Sequence, residues 1–221
     1  MTDVSDVAGP SIQLNWSGPL MVGKFPKGKP EIEKAGLNTA GVYLWLQRYP
    51  ETTALYAGQS TDISIRLKQH ITMLFSFQYW LRKANPILSE NYDTSYCFQD
   101  PGDGTLGCFN DLDKWILHAR REVETVRFFY APVTEEMIAN SSLAGMTVKQ
   151  SISLIEAYLI NDLYDLAAQN ETYVCDNGRR EMSAERLANS PLQRMSHIFK
   201  GDERFKTSDL LTQFNDFLKQ M

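Results

Sequence analysis

Features typical of exported and membrane proteins are scarce in this chain of 221 residues. Its three cysteines, Cys97, Cys108 and Cys175, are odd in number and far apart, which argues against a disulfide framework and against a zinc site. The first residues lack a basic segment followed by an apolar one, and no stretch approaches the roughly 18 apolar residues that span a bilayer. We therefore expect a cytoplasmic protein with reduced thiols and no membrane partner.

An excess of positive charge is also missing. The chain has 22 Lys and Arg residues against 27 Asp and Glu residues, a net charge of -5. Proteins that coat nucleic acid gain affinity by releasing counterions from phosphates, so any contact with DNA here must come from a local patch. Three groups of basic residues are candidates for such contacts: Lys24, Lys27 and Lys29; Arg120 and Arg121; and Arg179 and Arg180.

The chain has no internal repeat, low-complexity tract or Gly/Ser linker, and 43% of its residues are apolar. These properties favour a single domain with a real core. Residues 1–40 are rich in Gly and Pro and are predicted to form an irregular arm with one short strand at Ile12–Trp16.

Residues 41–57 have the pattern of a β-hairpin. Val42 and Leu44 alternate with Tyr43 and Trp45, and a second alternating segment follows the break at Pro50. A turn centred near Pro50 places Tyr43 and Tyr56 roughly opposite each other on one face of the sheet.

A helix is predicted directly after this hairpin. Ser60 or Thr61 can cap its N-terminus. Arg66 and His70 are four residues apart and therefore share a face of the helix. That face lies beside an apolar stripe with helical spacing, made of Ile63, Leu67, Ile71 and Leu74.

Further elements are predicted along the rest of the chain. Residues 76–122 read as a helical insertion with a Gly-rich loop, 125–131 as a strand and 148–168 as a long helix. Residues 171–221 form a C-terminal extension with a hairpin and helices. The core of the domain, 41–170, is thus expected to be an α+β unit.

Glu156 is placed on an otherwise apolar side of the long helix. Its neighbours one turn away are Ile152 and Ile160, and a half-buried carboxylate needs a positive partner. That partner is either an arginine, in a structural ion pair, or a metal ion. Magnesium suits such a site because it is often held by one or two carboxylates together with waters and substrate phosphate.

Taken in order, these residues resemble the motifs of the GIY-YIG nuclease superfamily. Gly41-Val42-Tyr43 and Tyr56-Ala57-Gly58 match the two tripeptides, and Arg66, His70 and Glu156 follow in family order. The resemblance covers 41–70 closely and resumes from about 125 to 170. Val42 and Ala57 replace the family's isoleucines, at positions that affect packing rather than chemistry.

This resemblance implies a small antiparallel sheet flanked by helices, with a helical insertion and N- and C-terminal elaborations. It also implies a DNA endonuclease with one Mg²⁺ (or Mn²⁺) ion held by Glu156, and no organic cofactor. Tyr43 matches the tyrosine that deprotonates or orients the attacking water. Because a free phenol has a pKa near 10, it would need positive charge from Arg66 and the metal to act as a base.

Supporting roles can be expected for the other residues. Arg66 can meet the charge on the phosphate oxygens, Tyr56 can hold the water or the phosphate, and His70 can relay a proton. Gly58 lets the backbone approach a phosphate, and both Gly58 and Ser60 are expected to contact DNA. Asn170 falls where the family often has an asparagine, although Asn161 and Asn177 are also available.

Three functions remain open at the level of the sequence. The first is a restriction-type endonuclease in which the arm and the insertion recognise DNA, and a homodimer or sequential nicking cuts both strands. The second is the same chemistry in repair or recombination, on branched DNA. The third is a catalytically inactive module that binds nucleic acid or protein. For both nuclease functions, Tyr43, Tyr56, Arg66, His70 and Glu156 should converge on one cleft.

Overall fold

Six strands and four helices make up the part of the chain that the computed structural model describes, which is residues 11–22, 36–48, 53–76, 112–169, 171–177, 183, 185–186, 189–192 and 194–199. The strands are β1 (Ser11–Met21), β2 (Gly41–Arg48), β3 (Thr53–Ser60), β4 (Arg127–Pro132), β5 (Tyr173–Cys175) and β6 (Arg194–Phe199). The helices are α1 (Ile63–Phe75), α2 (Leu112–Thr125), α3 (Glu135–Ala139) and α4 (Val148–Gln169).

The predicted hairpin is present as β2 and β3, but its register differs from the expected one. Tyr43 pairs with Gly58, and Tyr56 pairs with Trp45. Tyr43 and Tyr56 therefore share a face as diagonal neighbours instead of lying directly opposite. Arg48 pairs with Thr53, so the centre of the turn lies one residue later than predicted. Each residue of β2 therefore pairs with a residue of β3 that is two positions later than the predicted partner.

All six strands belong to one mixed sheet in the order β5-β3-β2-β4-β1-β6. The prediction of an α+β fold is confirmed, but the prediction of a small antiparallel sheet is wrong. β5 runs parallel to β3, and β6 runs parallel to β1. These two pairings join segments far apart in sequence, which local hydrophobic patterns cannot indicate.

The N-terminal region also contributes more to the sheet than an irregular arm would. β1 has 11 residues instead of the predicted five, and it lies between β4 and β6. Gly18 and Pro19, which suggested a turn, lie within β1 where its pairing with β4 shifts between Ser17 and Leu20. A shift of this kind accommodates turn-forming residues without ending the strand.

The sheet is covered on both faces, so its central strands are buried on both sides. On one face, Val42, Leu44 and Leu46 pack in a core with the buried stripe of α4. On the other, Tyr43 and Trp45 pack with buried residues of α1 and α2. The two faces of β2 thus belong to two separate cores.

α1 and α4 follow the predictions closely, with one correction at a terminus, whereas α3 was not predicted and residues 77–111 of the predicted insertion lie outside the described residues. α4 matches the predicted helix, and its stripe Ile152, Ile155, Leu159, Leu163 and Leu166 is buried. The cap of α1 is Asp62 and not Ser60 or Thr61, since its carboxylate accepts a hydrogen bond from the backbone N–H of Ile65 at 3.0 Å. No helix in the described ranges combines the length and the apolar character that crossing a bilayer requires.

A buried hydrogen bond joins the two strands at one edge of the sheet. The indole Nε1–H of Trp16 on β1 donates to Nδ1 of His197 on β6 at 2.9 Å, across 181 residues of sequence. Both side chains are buried, and the indole also stacks on Phe199. Since Nδ1 accepts this hydrogen bond, it carries no proton.

We predict that Trp16→Phe lowers the free energy of unfolding by about 1–3 kcal/mol, because it leaves a buried acceptor on His197 without its donor. Urea denaturation measures the effect. Adding His197→Leu to Trp16→Phe should recover part of the loss, since removing both polar partners also removes the unpaired acceptor. A double variant less stable than Trp16→Phe alone would contradict this account.

Candidate functional site

Four of the five residues expected at the active site meet on the face of the sheet covered by α1 and α2. Tyr43 lies on β2 and Tyr56 on β3, with their rings 6.2 Å apart. His70 on α1 packs edge-on against both rings, at 5.6 Å from Tyr43 and 5.7 Å from Tyr56. Arg66, one turn earlier on α1, reaches the same place. We call Tyr43, Tyr56, Arg66 and His70 the tyrosine cluster.

The hydroxyl group of Tyr43 is the centre of the tyrosine cluster. Its oxygen lies 2.7 Å from Nε2 of His70 and accepts a hydrogen bond from Nε of Arg66 at 3.3 Å. The ring of Tyr56 lies beside it, with its centre 6.2 Å from that of the Tyr43 ring. The sequence predicted Tyr43 and Tyr56 on one face of the sheet, and Arg66 and His70 on one face of the helix. In the structure, Arg66 and His70 both reach the hydroxyl oxygen of Tyr43.

Burial changes the chemistry expected of Tyr43. The residue is 1% exposed, and burial raises the pKa of its hydroxyl far above the ordinary value of 10, with a further increase from Tyr56. Arg66 lowers the pKa of Tyr43, but by less than these effects raise it. Tyr43 therefore keeps its proton at neutral pH, and a phenolate there would need more positive charge than Arg66 supplies.

His70 is neutral at physiological pH for a related reason. Burial, and then the positive charge of Arg66, lower the pKa of His70 from 6.5 to about 4. A neutral imidazole has one nitrogen that can accept a hydrogen bond. The Tyr43 hydroxyl can donate to Nε2 of His70 while it accepts from Arg66.

Tyr56 and Arg66 form the part of the tyrosine cluster nearest to solvent, since both are half-buried whereas Tyr43 and His70 are buried. Arg66 is held at two points, by Tyr43 and by Gln69, whose Oε1 accepts from Nη1 at 3.3 Å. A substrate approaching from solvent would meet Tyr56 and Arg66 before Tyr43.

Gly58 has a steric role that the sequence did not indicate. A Cβ atom added at Gly58 would overlap the ring and hydroxyl of Tyr43, and would lie 2.8 Å from its Cε2 atom. The missing side chain is therefore needed for Tyr43 to lie across β3. Ser60 makes a local turn, because its hydroxyl donates to the carbonyl of Asp62 at 2.7 Å and accepts from the N–H of Asp62 at 3.0 Å.

Asn177 supports the strand that carries Tyr56 and Gly58. Its Oδ1 accepts from the N–H of Ala57 at 2.9 Å, and its Nδ2 donates to the Ala57 carbonyl at 2.7 Å. The amide thus continues the pairing of β3 beyond its last partner on β5, Cys175. A signal was present in the sequence, since Asn177 precedes a glycine just after a short apolar strand, but nothing there linked it to Ala57.

The other two asparagines considered are less informative. Asn161 is buried on α4, where its Nδ2 donates to the carbonyl of Ala157 at 2.7 Å, so it serves the helix. Asn170 lies outside the described residues.

Glu156 is half-buried on α4, as its position on the helix predicted. The buried stripe of α4 packs against the Val42 face of β2, whereas the tyrosine cluster lies on the Tyr43 face. The approach of Glu156 to the tyrosine cluster therefore stays a prediction. In the described ranges, no three His, Cys, Asp or Glu side chains are grouped to hold a metal ion.

The basic residues expected to contact DNA are only partly described. Arg120 is exposed on α2, where its Nε donates to Glu124 at 2.7 Å. Arg121 lies on the same helix, and its side chain is not described. The remaining candidates, Lys24, Lys27, Lys29, Arg179 and Arg180, lie outside the described residues.

Searches of protein-family models, of curated proteins and of solved structures found no match to this chain. The resemblance to the GIY-YIG nucleases therefore rests on the motif residues of the sequence alone.

We predict that His70 makes stability depend on pH between about 6.5 and 4. In this range the unfolded chain binds a proton at His70 that the folded protein does not, so the free energy of unfolding falls as the pH falls. At about 1.4 kcal/mol per pKa unit, the loss is on the order of 3 kcal/mol.

Urea denaturation of the wild type and of His70→Gln, at pH 7 and pH 4.5, isolates this contribution. Glutamine retains a hydrogen-bonding group for Tyr43 but has no proton to gain. Equal losses of stability in the two proteins on acidification would show that His70 titrates normally.

We predict that Gly58→Ala lowers the free energy of unfolding by about 1–3 kcal/mol, the usual cost of overpacking, since the new methyl group overlaps the ring of Tyr43. Thermal unfolding measures the change. In a Tyr43→Leu background the same substitution should cost much less. An equal cost in both backgrounds would show that Tyr43 is not what excludes a side chain at Gly58.

Proposed function

We propose that this protein is a metal-dependent endonuclease that hydrolyses phosphodiester bonds in DNA. The observation that carries the proposal is the meeting of Tyr43, Arg66 and His70 at one hydroxyl oxygen, within 2.7 and 3.3 Å, beside Tyr56. One neutral partner would satisfy the buried hydroxyl, whereas the guanidinium of Arg66 adds a positive charge that a phosphate could use.

Arg66 is proposed to bind the phosphate. Hydrolysis places negative charge on the non-bridging oxygens of the phosphorus, and a guanidinium can meet two of them with parallel hydrogen bonds. Tyr43 and Gln69 hold Arg66 in orientation before the substrate arrives. The guanidinium of Arg66 then needs little reorientation when the phosphate binds.

Tyr56 is proposed to meet the attacking water. As the water oxygen bonds to phosphorus, the bond between phosphorus and the leaving oxygen breaks, and the leaving oxygen takes up a proton from solvent. The proton of the water passes to Tyr56, Tyr56 passes its own proton to the Tyr43 hydroxyl, and Tyr43 passes its own to Nε2 of His70. His70 is neutral at physiological pH, so Nε2 can accept a proton, and its lowered pKa means that it then releases this proton to solvent readily.

Mg²⁺ (or Mn²⁺) is the proposed cofactor, with Glu156 as its protein ligand. A single carboxylate is enough for Mg²⁺ when waters and substrate phosphate complete its coordination. When bound, the ion would neutralise charge on the phosphate. Glu156 fits this donor chemistry, being a half-buried carboxylate on α4.

Cleavage of supercoiled plasmid in Mg²⁺ tests the proposal. Arg66→Ala should reduce the rate about 10²–10³-fold, as for the loss of one group that stabilises the transition state. Tyr56→Phe and Glu156→Gln should also reduce it strongly. The control is Gln169→Ala, at an exposed residue near the end of α4, which should cleave at the wild-type rate.

Cleavage at the wild-type rate by Glu156→Gln would contradict the role of Glu156 as the metal ligand. Cleavage at the wild-type rate by Arg66→Ala would contradict the role of Arg66 in binding the phosphate. Discrete fragments would favour restriction, whereas preference for branched over linear duplexes would favour repair or recombination.

A catalytically inactive binding module is the second candidate. The burial of the Tyr43 hydroxyl favours it, since a group so enclosed can serve structure alone. A wild-type protein that binds DNA but cuts no plasmid, branched duplex or single strand in Mg²⁺ or Mn²⁺ would support this function over the nuclease.

A further inference from the structure

At one end of the sheet, β1 is paired with β6 alone. This two-stranded section continues the face of the sheet on which the tyrosine cluster lies. Residues 11–16 of β1 pair with β6, whereas the pairing of β1 with β4 begins only at Ser17. Six residue pairs, from Ser11 with Arg194 to Trp16 with Phe199, form this section. We call it the β1–β6 ribbon.

The two sides of the β1–β6 ribbon differ sharply. Ile12, Leu14 and Trp16 point into the core with α4. Among the alternate positions, Gln13 is exposed, and Asn15 and Ser17 on β1 and Ser196 and Ile198 on β6 are half-buried. The register pairs Gln13 with Ser196 and Asn15 with Ile198, so these side chains form one surface.

This surface lies on the same side of the sheet as the tyrosine cluster. Tyr43 pairs with Tyr130, and Tyr130 pairs with Ser17, so the three side chains share a face. With strands about 4.8 Å apart, Ser17 lies about 10 Å from Tyr43 across the sheet, and Gln13 lies about 13 Å further along β1. A bound duplex could contact both places at once.

The chemistry of the surface matches base edges better than phosphates. Phosphate contacts are made mainly by cationic side chains, whereas asparagine and glutamine pair with adenine, serine pairs with several bases, and apolar groups contact the methyl of thymine. Asn15, Gln13, Ser196 and Ile198 supply groups of these kinds. Nε2 of Gln13 donates to Oδ1 of Asn15 at 3.3 Å, which orients the two amides together.

We propose that the β1–β6 ribbon reads base edges in the major groove of duplex DNA, and that Gln13 and Asn15 determine sequence preference. A two-stranded ribbon fits the major groove, which is about 12 Å wide. The inference rests on the proposed function, because it takes DNA as the substrate of the tyrosine cluster.

Selection from a randomised pool of DNA duplexes tests the proposal, with the full-length protein and EDTA to prevent cleavage. The wild type should enrich a motif. Asn15→Ala should erase the preference at one or two adjacent positions and weaken binding to the motif about 5- to 150-fold, the range for one bidentate pair. Gln13→Ala should do the same at a neighbouring position.

Two further variants sharpen the test. Asn15→Asp removes the donor of the side chain and should shift the selected base from adenine towards cytosine, whose N4 amino group donates to a carboxylate. Gln169→Ala, on the opposite side of the sheet, should select the wild-type motif. Binding to a duplex without the motif, and its salt dependence, should be unchanged in the three alanine variants, since phosphate contacts are intact.

The plasmid assay separates the possible failures. If the wild type cuts plasmid and all the variants select the same motif, the ribbon does not read bases, while the nuclease proposal stands. If the wild type cuts nothing but its motif changes in the variants, the ribbon reads DNA without the nuclease. Selection of no duplex motif, or preference for RNA in a parallel pool, overturns the inference.

Discussion

The candidate site depends on one requirement, which is that the buried hydroxyl of Tyr43 must have hydrogen-bond partners. An unpaired hydroxyl in such a place would cost about 1–3 kcal/mol, and the partners at hand are His70 and Arg66. Satisfying this one oxygen fixes α1 against β2. It also requires glycine at position 58, because the ring lies across β3. The geometry of the tyrosine cluster thus follows from burying one phenol.

The same burial decides how the tyrosine cluster can work. Removing Tyr43 and His70 from water favours the neutral form of each, so the pair is uncharged at neutral pH. Arg66 then supplies a fixed positive charge beside a neutral hydrogen-bonded chain. Such an arrangement suits an anionic substrate better than a cationic one. The side chains of the tyrosine cluster that solvent can reach are those of Tyr56 and Arg66.

The acidic composition and the β1–β6 ribbon belong together. Under the proposed function, a chain with a net charge of -5 cannot rely on general attraction to phosphates, so selectivity would come from local groups. The ribbon offers amides and hydroxyls on the same side of the sheet as the tyrosine cluster. Its position depends on a pair of strands that Trp16 and His197 hold together from within the core.

What the sequence determined by itself was local. Residues 41–70 form a hairpin and then a helix, and the periods of 2 and 3.6 residues place Tyr43 and Tyr56 on one face, and Arg66 and His70 on another. Long-range pairing was decided by tertiary structure alone, as for Asn177 with Ala57 across 120 residues and Trp16 with His197 across 181. Periodicity tells which face a side chain occupies. It does not tell which distant strand will lie beside it, because that depends on how all the buried faces pack at once.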